Sequence, residues 1–205
     1  MNFKKVTLIV LAFSLFMACG TTESKVLFFK PEANSGKDTA IYEGSASKNF
    51  STLDKIHMLS LSSNDSVKSN VRSLLRIGFS TLPKEAVIDS AFLNLYTIDP
   101  GHFGQKNSFT ATPIKEVWIN TEVNWNTQPA VYDSQKIIVP APSNAKQDYK
   151  INVTDFVSAV HSKKQQNNGL MLKLEDEKKS YKGVRFHSSN SKSLEKQPQL
   201  EVYYH

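Results

Sequence analysis

The sequence predicts an all-β protein, a β-sandwich of the jelly-roll type with one short helix. Apolar and polar residues alternate over residues 71–79 and 88–98 with the period of a half-buried strand, not that of a helix. Proline and glycine interrupt the chain at short intervals, as they do between the strands of sandwiches and jelly rolls. No internal repeat is visible, which argues against a repeat architecture.

The clearest strand is predicted over residues 71–79. Its nearly apolar face is expected to point into the core and comprises Val71, Ser73, Leu75, Ile77 and Phe79. Its opposite, more polar face comprises Arg72, Leu74, Arg76 and Gly78. Nine further strands are predicted at residues 25–30, 56–61, 88–98, 108–114, 136–139, 149–153, 169–174, 184–187 and 200–204.

One helix is predicted from Thr154 to about Ser162. Thr154 is expected to cap its N-terminus, and Asp155 suits the first turn because its charge opposes the helix dipole. Phe156, Val157 and Val160 form a narrow apolar stripe. A helix of this kind is expected to cover an open end of the sandwich.

The N-terminus has the features of an export signal. Lys4 and Lys5 precede an apolar run at residues 6–17, which is too short to cross a bilayer because a spanning helix needs about 20 residues. Ala18 before the single cysteine, Cys19, is similar to a bacterial lipoprotein cleavage site. We expect residues 1–18 to be a signal peptide, Cys19 to carry lipid, residues 19–24 to be a tether and residues 25–205 to form one domain. The alternative is a plain secretory signal with a chance cysteine.

This organisation predicts an exported protein anchored at the outer membrane or cell surface. From Cys19 onward the chain has 187 residues, with 23 basic and 19 acidic side chains. A chain of this length can bury a core without disulfides or metals. The small positive charge favours an anionic partner, but the basic residues are not clustered as in a nucleic-acid-binding protein.

Catalytic and metal-binding motifs are not visible. The five histidines lack metal-ligand spacing, and there is no Gly-x-Ser-x-Gly nucleophile motif. We therefore expect no cofactor, no metal and no enzymatic activity. The acidic run at residues 175–177 is the one place that would offer oxygen ligands to calcium; its alternative role is a solvated turn.

Ordered pieces of the chain carry a resemblance to a known family. They are Asp-Thr-Ala-Ile at 38–41, Arg-Ser-Leu-Leu-Arg at 72–76 with Phe79, Leu82 and Pro83, Ala91 with Leu93, Leu95 and Tyr96, Trp118 with Asn-Trp-Asn-Thr-Gln-Pro at 124–129, Val153 with Thr154 and Val157, Asn-Gly-Leu at 168–170, Phe186 with Ser188, and Pro-Gln-Leu at 198–200 with Val202 and Tyr203. Together they resemble the DNRLRE-type domain, also classified as carbohydrate-binding module family 96. The chain departs from that pattern at Ser80-Thr81, Asn124, Asn49-Phe-Ser51 and in the longer polar run at 62–70. The resemblance implies a β-sandwich that binds carbohydrate.

Four residues of the central motifs are candidates for ligand contact. Trp118 and Trp125 could stack on the apolar face of a sugar ring, or they could belong to the core, with asparagines of the corner bonding to loop backbone. Arg72 and Arg76 lie four residues apart on one face of a strand. Each could bind the carboxylate of a uronic acid or form an internal ion pair.

A second candidate group lies near the C-terminus, where basic and aromatic residues are mixed within seven positions. It comprises Tyr181, Lys182, Arg185 and His187. The alternative for each is a solvated surface position.

These observations predict a non-catalytic, cell-surface lipoprotein that binds a polysaccharide, with an acidic glycan favoured. It would concentrate the polymer for a partner enzyme or transporter. Two alternatives stay open: a structural or adhesive module that binds no sugar, and a polysaccharide lyase or hydrolase.

Overall fold

The computed structural model describes residues 23–32, 37–60, 69–98, 107–144, 146–177 and 182–205. Its elements form two antiparallel sheets and one helix, which confirms the predicted all-β sandwich. The elements in chain order are β1 (Lys25–Phe29), β2 (Asp38–Tyr42), β3 (Lys55–Ser60), β4 (Asn70–Leu75), β5 (Ile88–Leu95), β6 (Phe109–Pro113), β7 (Ile137–Val139), β8 (Tyr149–Asn152), α1 (Thr154–His161), β9 (Leu170–Leu174), β10 (Lys182–His187) and β11 (Gln199–Tyr204).

The smaller sheet has four strands in the order β1-β11-β5-β8. The larger, curled sheet has seven strands. Six of them are ordered β10-β3-β4-β9-β6-β7, and β2 is outside this order and pairs with β4. The main core lies between the two sheets. At its centre, the rings of Phe109, Tyr149 and Phe186 lie 5.3 to 5.8 Å apart between centroids and meet edge to face or tilted.

All ten predicted strands are present, but the sequence did not predict β2. Four of its five residues are buried, including the polar Asp38 and Thr39. Because both faces of β2 are covered, its sequence lacks the polar–apolar alternation that identifies a half-buried strand. Strand β4 ends at Leu75, before Arg76, so it is shorter than the predicted strand over residues 71–79.

The β4 face predicted to be apolar is buried at every position from Val71 to Phe79. The opposite face is also covered, and Leu74 on that face is fully buried. Residues of the connection between β6 and β7 fold over this outer face and bring Trp118 and Val123 against it. The resulting second core comprises Ile41, Leu74, Ile114, Trp118, Val123 and Met171.

Helix α1 confirms the predicted helix and lies against β5. The predicted N-cap was wrong, because Thr154 is the first helical residue and the cap position is occupied by Val153. The Asn152 side-chain oxygen accepts from the backbone N–H and the hydroxyl of Thr154, at 3.0 and 2.7 Å. That hydroxyl accepts in turn from the backbone N–H of Ala91, which joins the helix to the small sheet.

The predicted signal peptide and Cys19 lie outside the described residues. Ser24, the last residue of the predicted tether, already contacts the domain, since its hydroxyl donates to Asp89 at 2.9 Å. Within the residues that the structure describes, none of the helices is both long and apolar enough to traverse a bilayer.

Candidate functional site

A cleft of about 800 Å³ lies at one end of the sandwich. One wall is the connection between β4 and β5, and the other is the end of α1 with the segment that follows it. Its charged and polar side chains are Arg76, Ser80, Lys84, Glu85, His161, Lys163 and Asn167. We call it the basic cleft, because its lining contains three cationic side chains, Arg76, Lys84 and Lys163, and one carboxylate, Glu85.

Arg76 is placed in the basic cleft because β4 ends one residue earlier. Its backbone N–H donates to the Lys37 carbonyl at 2.8 Å, which fixes the chain as it leaves the sheet. Its guanidinium lies 5.3 Å from the centre of the Trp118 ring. Among the described residues no carboxylate forms an ion pair with Arg76, so its charge is available to a ligand.

Lys163 reaches the cleft through an uncommon backbone conformation. Its φ is +58°, the left-handed region usually occupied by glycine where a helix ends. The left-handed conformation costs a residue with a side chain roughly 1–2 kcal/mol. A charged side chain at this position extends from the end of α1 into the opening of the cleft.

Asn167 and His161 also line the basic cleft. The Asn167 amide nitrogen donates to the Ile77 carbonyl at 2.9 Å, and its oxygen is buried without a partner among the described residues. The Nε2 of His161 lies 3.0 Å from the Ala86 carbonyl, so this nitrogen carries a proton and donates to it. Both side chains are thus oriented by backbone contacts.

Arg72, by contrast, is engaged inside the protein. Its Nε and Nη2 donate to the two carboxylate oxygens of Glu177 at 2.8 and 2.7 Å, and Nη1 donates to Gln128 at 2.6 Å. Its guanidinium also lies 4.6 Å from the centre of the Trp125 ring. This is the internal ion pair that the sequence left open as an alternative.

The structure places the two tryptophans in or against the second core. Trp118 is buried, and its indole N–H donates to the Asn168 carbonyl at 2.7 Å. Trp125 is half-buried in a 3-10 turn, Trp125–Thr127, which the Asn124 side chain caps by accepting from two backbone N–H groups. Trp118 therefore contributes to the basic cleft indirectly, as the ring beside Arg76.

Arg185 and His187 of the second candidate group lie away from the basic cleft. Arg185 pairs with His57 between β10 and β3, and Nδ1 of His187 lies 2.8 Å from the Ser191 hydroxyl. Neither lines the basic cleft. Tyr181 lies outside the described residues, and Lys182 is described only as the first residue of β10.

His57 has an unusual environment next to this group. Its Nδ1 lies 2.8 Å from the Tyr42 hydroxyl, and its other ring nitrogen is buried without a partner among the described residues. Burial and the positive charges of Arg185 and Lys55 lower the pKa of His57 to about 4, although the negative charge of Asp54 raises it by a smaller amount. His57 is therefore neutral at physiological pH.

The sequence did not identify Lys84, His161, Lys163 or Asn167 as binding residues. In the sequence, Lys163 and Asn167 lie in a polar segment after the predicted helix, and Lys84 follows Pro83 of the family motif. None of the four belongs to a recognisable binding motif in the sequence, and only the packing of α1 beside the β4–β5 connection brings them together.

The described ranges contain no cluster of three or more His, Cys, Asp or Glu side chains that could hold a metal ion. In the acidic run 175–177, Glu177 directs both carboxylate oxygens at Arg72. The calcium site considered for this run stays a prediction.

Comparison with protein-family models identifies the domain. The model of carbohydrate-binding module family 96 matches residues 30–204, which is almost the whole described fold. Comparison with curated proteins gives no match. Families of this type comprise non-catalytic binding modules, which agrees with the absence of catalytic motifs in the sequence. The chain therefore belongs to carbohydrate-binding module family 96.

Proposed function

We propose that this carbohydrate-binding module binds an acidic polysaccharide in the basic cleft. The observation that carries the proposal is the uncompensated charge there. Arg76, Lys84 and Lys163 have no ion-pair partner among the described residues, and Glu85 is the single carboxylate of the lining. A cleft with this excess of positive charge attracts a polymer that carries a carboxylate on each sugar.

The cleft offers the groups that a uronic acid requires. The planar guanidinium of Arg76 can donate two parallel hydrogen bonds to one carboxylate, while the flexible lysines can follow charges on neighbouring sugars. The volume of about 800 Å³ lies in the range usual for ligand pockets.

The same proposal includes the location of the protein. Cleavage before Cys19 and lipidation of its thiol would hold the module at a membrane surface, because each buried CH₂ of an acyl chain contributes about 0.8 kcal/mol. Binding at the surface would raise the local concentration of the polymer for a partner enzyme or transporter. Radiolabelled palmitate incorporated by the wild type, and lost in Cys19→Ala, tests the anchor.

Affinity electrophoresis tests the ligand. The mature protein is run in gels that contain alginate or pectin, beside Arg76→Gln, Lys84→Gln and Lys163→Gln. Lys192→Gln, which removes an exposed lysine elsewhere, is the control. We expect retardation of the wild type that weakens with salt, and a loss of about tenfold in affinity for Arg76→Gln, because a charged hydrogen-bonded contact contributes roughly 1.5–3 kcal/mol.

Two outcomes contradict the proposal. In the first, no acidic polymer slows the wild type. In the second, retardation is unchanged in all three cleft variants, so that binding takes place elsewhere. Release of unsaturated or reducing ends during incubation would indicate a lyase or hydrolase instead.

A further inference from the structure

We propose that the outer face of the four-stranded sheet is a second carbohydrate-binding surface, one that takes neutral sugar rings. The proposal concerns a different face of the domain from the basic cleft and does not depend on binding there. It starts from one exposed and two half-buried aromatic side chains on this face.

The strand register places these side chains side by side. Phe28 in β1 pairs with Glu201 in β11, and Glu201 pairs with Phe92 in β5. The same face carries Tyr203, two residues from Glu201, and Lys150, which lies in β8 opposite Asn94. Phe28 is 56 % exposed although it belongs to a strand of the sandwich. We call Phe28, Phe92, Tyr203, Lys150 and Glu201 the aromatic platform.

Side-chain contacts orient four members of the aromatic platform, namely Phe92, Tyr203, Lys150 and Glu201. Glu201 is buried, and its carboxylate accepts from the Lys150 ammonium at 2.8 Å, from the Asn94 amide at 3.3 Å and from the Tyr203 hydroxyl. The Lys150 ammonium lies 4.5 Å from the centre of the Phe92 ring, and the rings of Phe92 and Tyr203 meet edge to face. These four side chains are therefore held in place before any ligand arrives, which lowers the entropic cost of binding.

This chemistry matches a neutral pyranose. Its C–H groups form an apolar face that can cover an aromatic ring, and its hydroxyls bond to amides and charged groups at the ring edge. The one cation and the one carboxylate of the aromatic platform neutralise each other, so the surface has no free charge that would call for an anionic sugar.

A second cleft adjoins the aromatic platform, and the negative charge of its lining also favours a neutral sugar. It has a volume of about 660 Å³ and lies beside the first turns of α1. Asn152 and Ser90 line it and pair across the strands with Phe92 and Tyr203, so it continues directly from the aromatic platform. Its charged side chains are Asp89 and Asp155, with no lysine or arginine among its described lining residues. Such a cleft repels a polyuronate. Both carboxylate oxygens of Asp89 already bond to Ser24 and His205, so Asp155 is the carboxylate that can accept from sugar hydroxyls.

The test uses the mature protein and neutral soluble polymers, namely hydroxyethylcellulose, galactomannan and arabinoxylan, with alginate run in parallel. Phe28→Ala removes the most exposed ring of the aromatic platform. Ile138→Ala is the matched control, because Ile138 is 55 % exposed on β7 of the other sheet. We expect at least one neutral polymer to retard the wild type. Phe28→Ala should bind that polymer about fivefold more weakly, which is the change in affinity expected for the loss of one aromatic contact. Ile138→Ala and Arg76→Gln should keep that affinity.

Two further measurements separate the explanations. NMR titration of the wild type should shift the ring resonances of Tyr203 with the neutral polymer, which tests the surface without a variant. Phe28→Ala should keep the affinity of the wild type for alginate, so failure of the acidic-glycan proposal and failure of this one give different results.

The proposal is overturned if no neutral polymer binds, or if Arg76→Gln loses neutral-polymer binding as Phe28→Ala does. It is also overturned if sedimentation shows that Phe28→Ala turns a dimer into a monomer, because the face would then be an interface between two copies of the chain.

Discussion

Arg72 donates to both carboxylate oxygens of Glu177, a residue 105 positions later in the chain. Arg76, four residues after Arg72 and on the same face in the sequence pattern, has no such partner among the described residues. The two arginines thus have different roles. Arg72 ties the outer face of the large sheet to the segment after β9, and Arg76 is left to the basic cleft.

Breaking the Arg72–Glu177 pair should destabilise the fold without affecting the basic cleft. The two side chains are only 20 % and 16 % exposed, so Glu177→Gln leaves a half-buried guanidinium short of its charge partner. We expect the free energy of unfolding to fall by about 1–3 kcal/mol, less than for a fully buried pair. Denaturant titration measures this loss.

Lys196→Gln is the control for that experiment. Lys196 pairs with Asp148 at 3.8 Å, and both side chains are almost half exposed. Removal of an exposed pair changes stability by about 0–1 kcal/mol. An equal loss in the two variants, or a change in alginate affinity on Glu177→Gln, would contradict the structural role given to Arg72.

Replacing Lys163 by glycine should stabilise the protein and weaken acidic-glycan binding at the same time. Glycine adopts the positive φ of this position without strain, so Lys163→Gly should gain about 1 kcal/mol in the free energy of unfolding. It also removes one cation from the basic cleft. Thermal unfolding and alginate electrophoresis on the same samples measure both effects.

The neighbouring exposed lysine provides the comparison. Lys164 has an ordinary backbone φ, so Lys164→Gly should give no stabilisation. If both glycine variants change stability in the same direction, the strain assigned to Lys163 is not real.

Stability should fall in mild acid because of His57. Its pKa is about 4 in the folded protein, below the ordinary value of 6.5, so the unfolded chain binds the proton more readily between these values. The contribution of His57 to stability is complete above pH 6.5 and is lost as the pH falls towards 4. His57→Gln should flatten the dependence of the melting temperature on pH in this window.

NMR titration of the His57 ring checks the same expectation directly. A midpoint near 4 agrees with the buried, positively charged surroundings provided by Arg185 and Lys55. A midpoint near 6.5, or an unchanged pH profile in His57→Gln, would show that the side chain is open to water.

Trp118→Phe should destabilise the protein more than Trp125→Phe. The first change leaves the buried Asn168 carbonyl without the indole N–H that it accepts at 2.7 Å, which costs about 1–3 kcal/mol. Trp125 is half-buried and makes no indole hydrogen bond to the described residues, so its replacement removes ring area alone. Chemical denaturation of the two variants side by side decides the order.

Local sequence patterns were sufficient to predict the elements that have one solvent-exposed face and one buried face. The alternation over β4 and β5 located these strands, and the apolar stripe of Phe156, Val157 and Val160 located α1. β2 was not predicted, because it is covered on both sides. The cap of α1 was predicted wrongly, because Asn152 bonds to Thr154 from outside the helix.

The ordered motifs also indicated the family and hence the class of ligand, since they are spread over the same span that the family model matches. They did not separate the roles of Arg72 and Arg76, which look alike in the sequence. Glu177 is near one of them and not the other for reasons of chain folding alone.

By itself, then, the sequence determined the sandwich, most of its strands and the positive charge of the protein, because periodicity and composition are local properties of the chain. The tertiary structure alone decided where that charge collects and which aromatic rings stay open. Arg76 and Lys163 line the same cleft only because α1 packs beside the β4–β5 connection. Phe28 stays exposed because β1 is an edge strand, and nothing in the described fold covers its outer face.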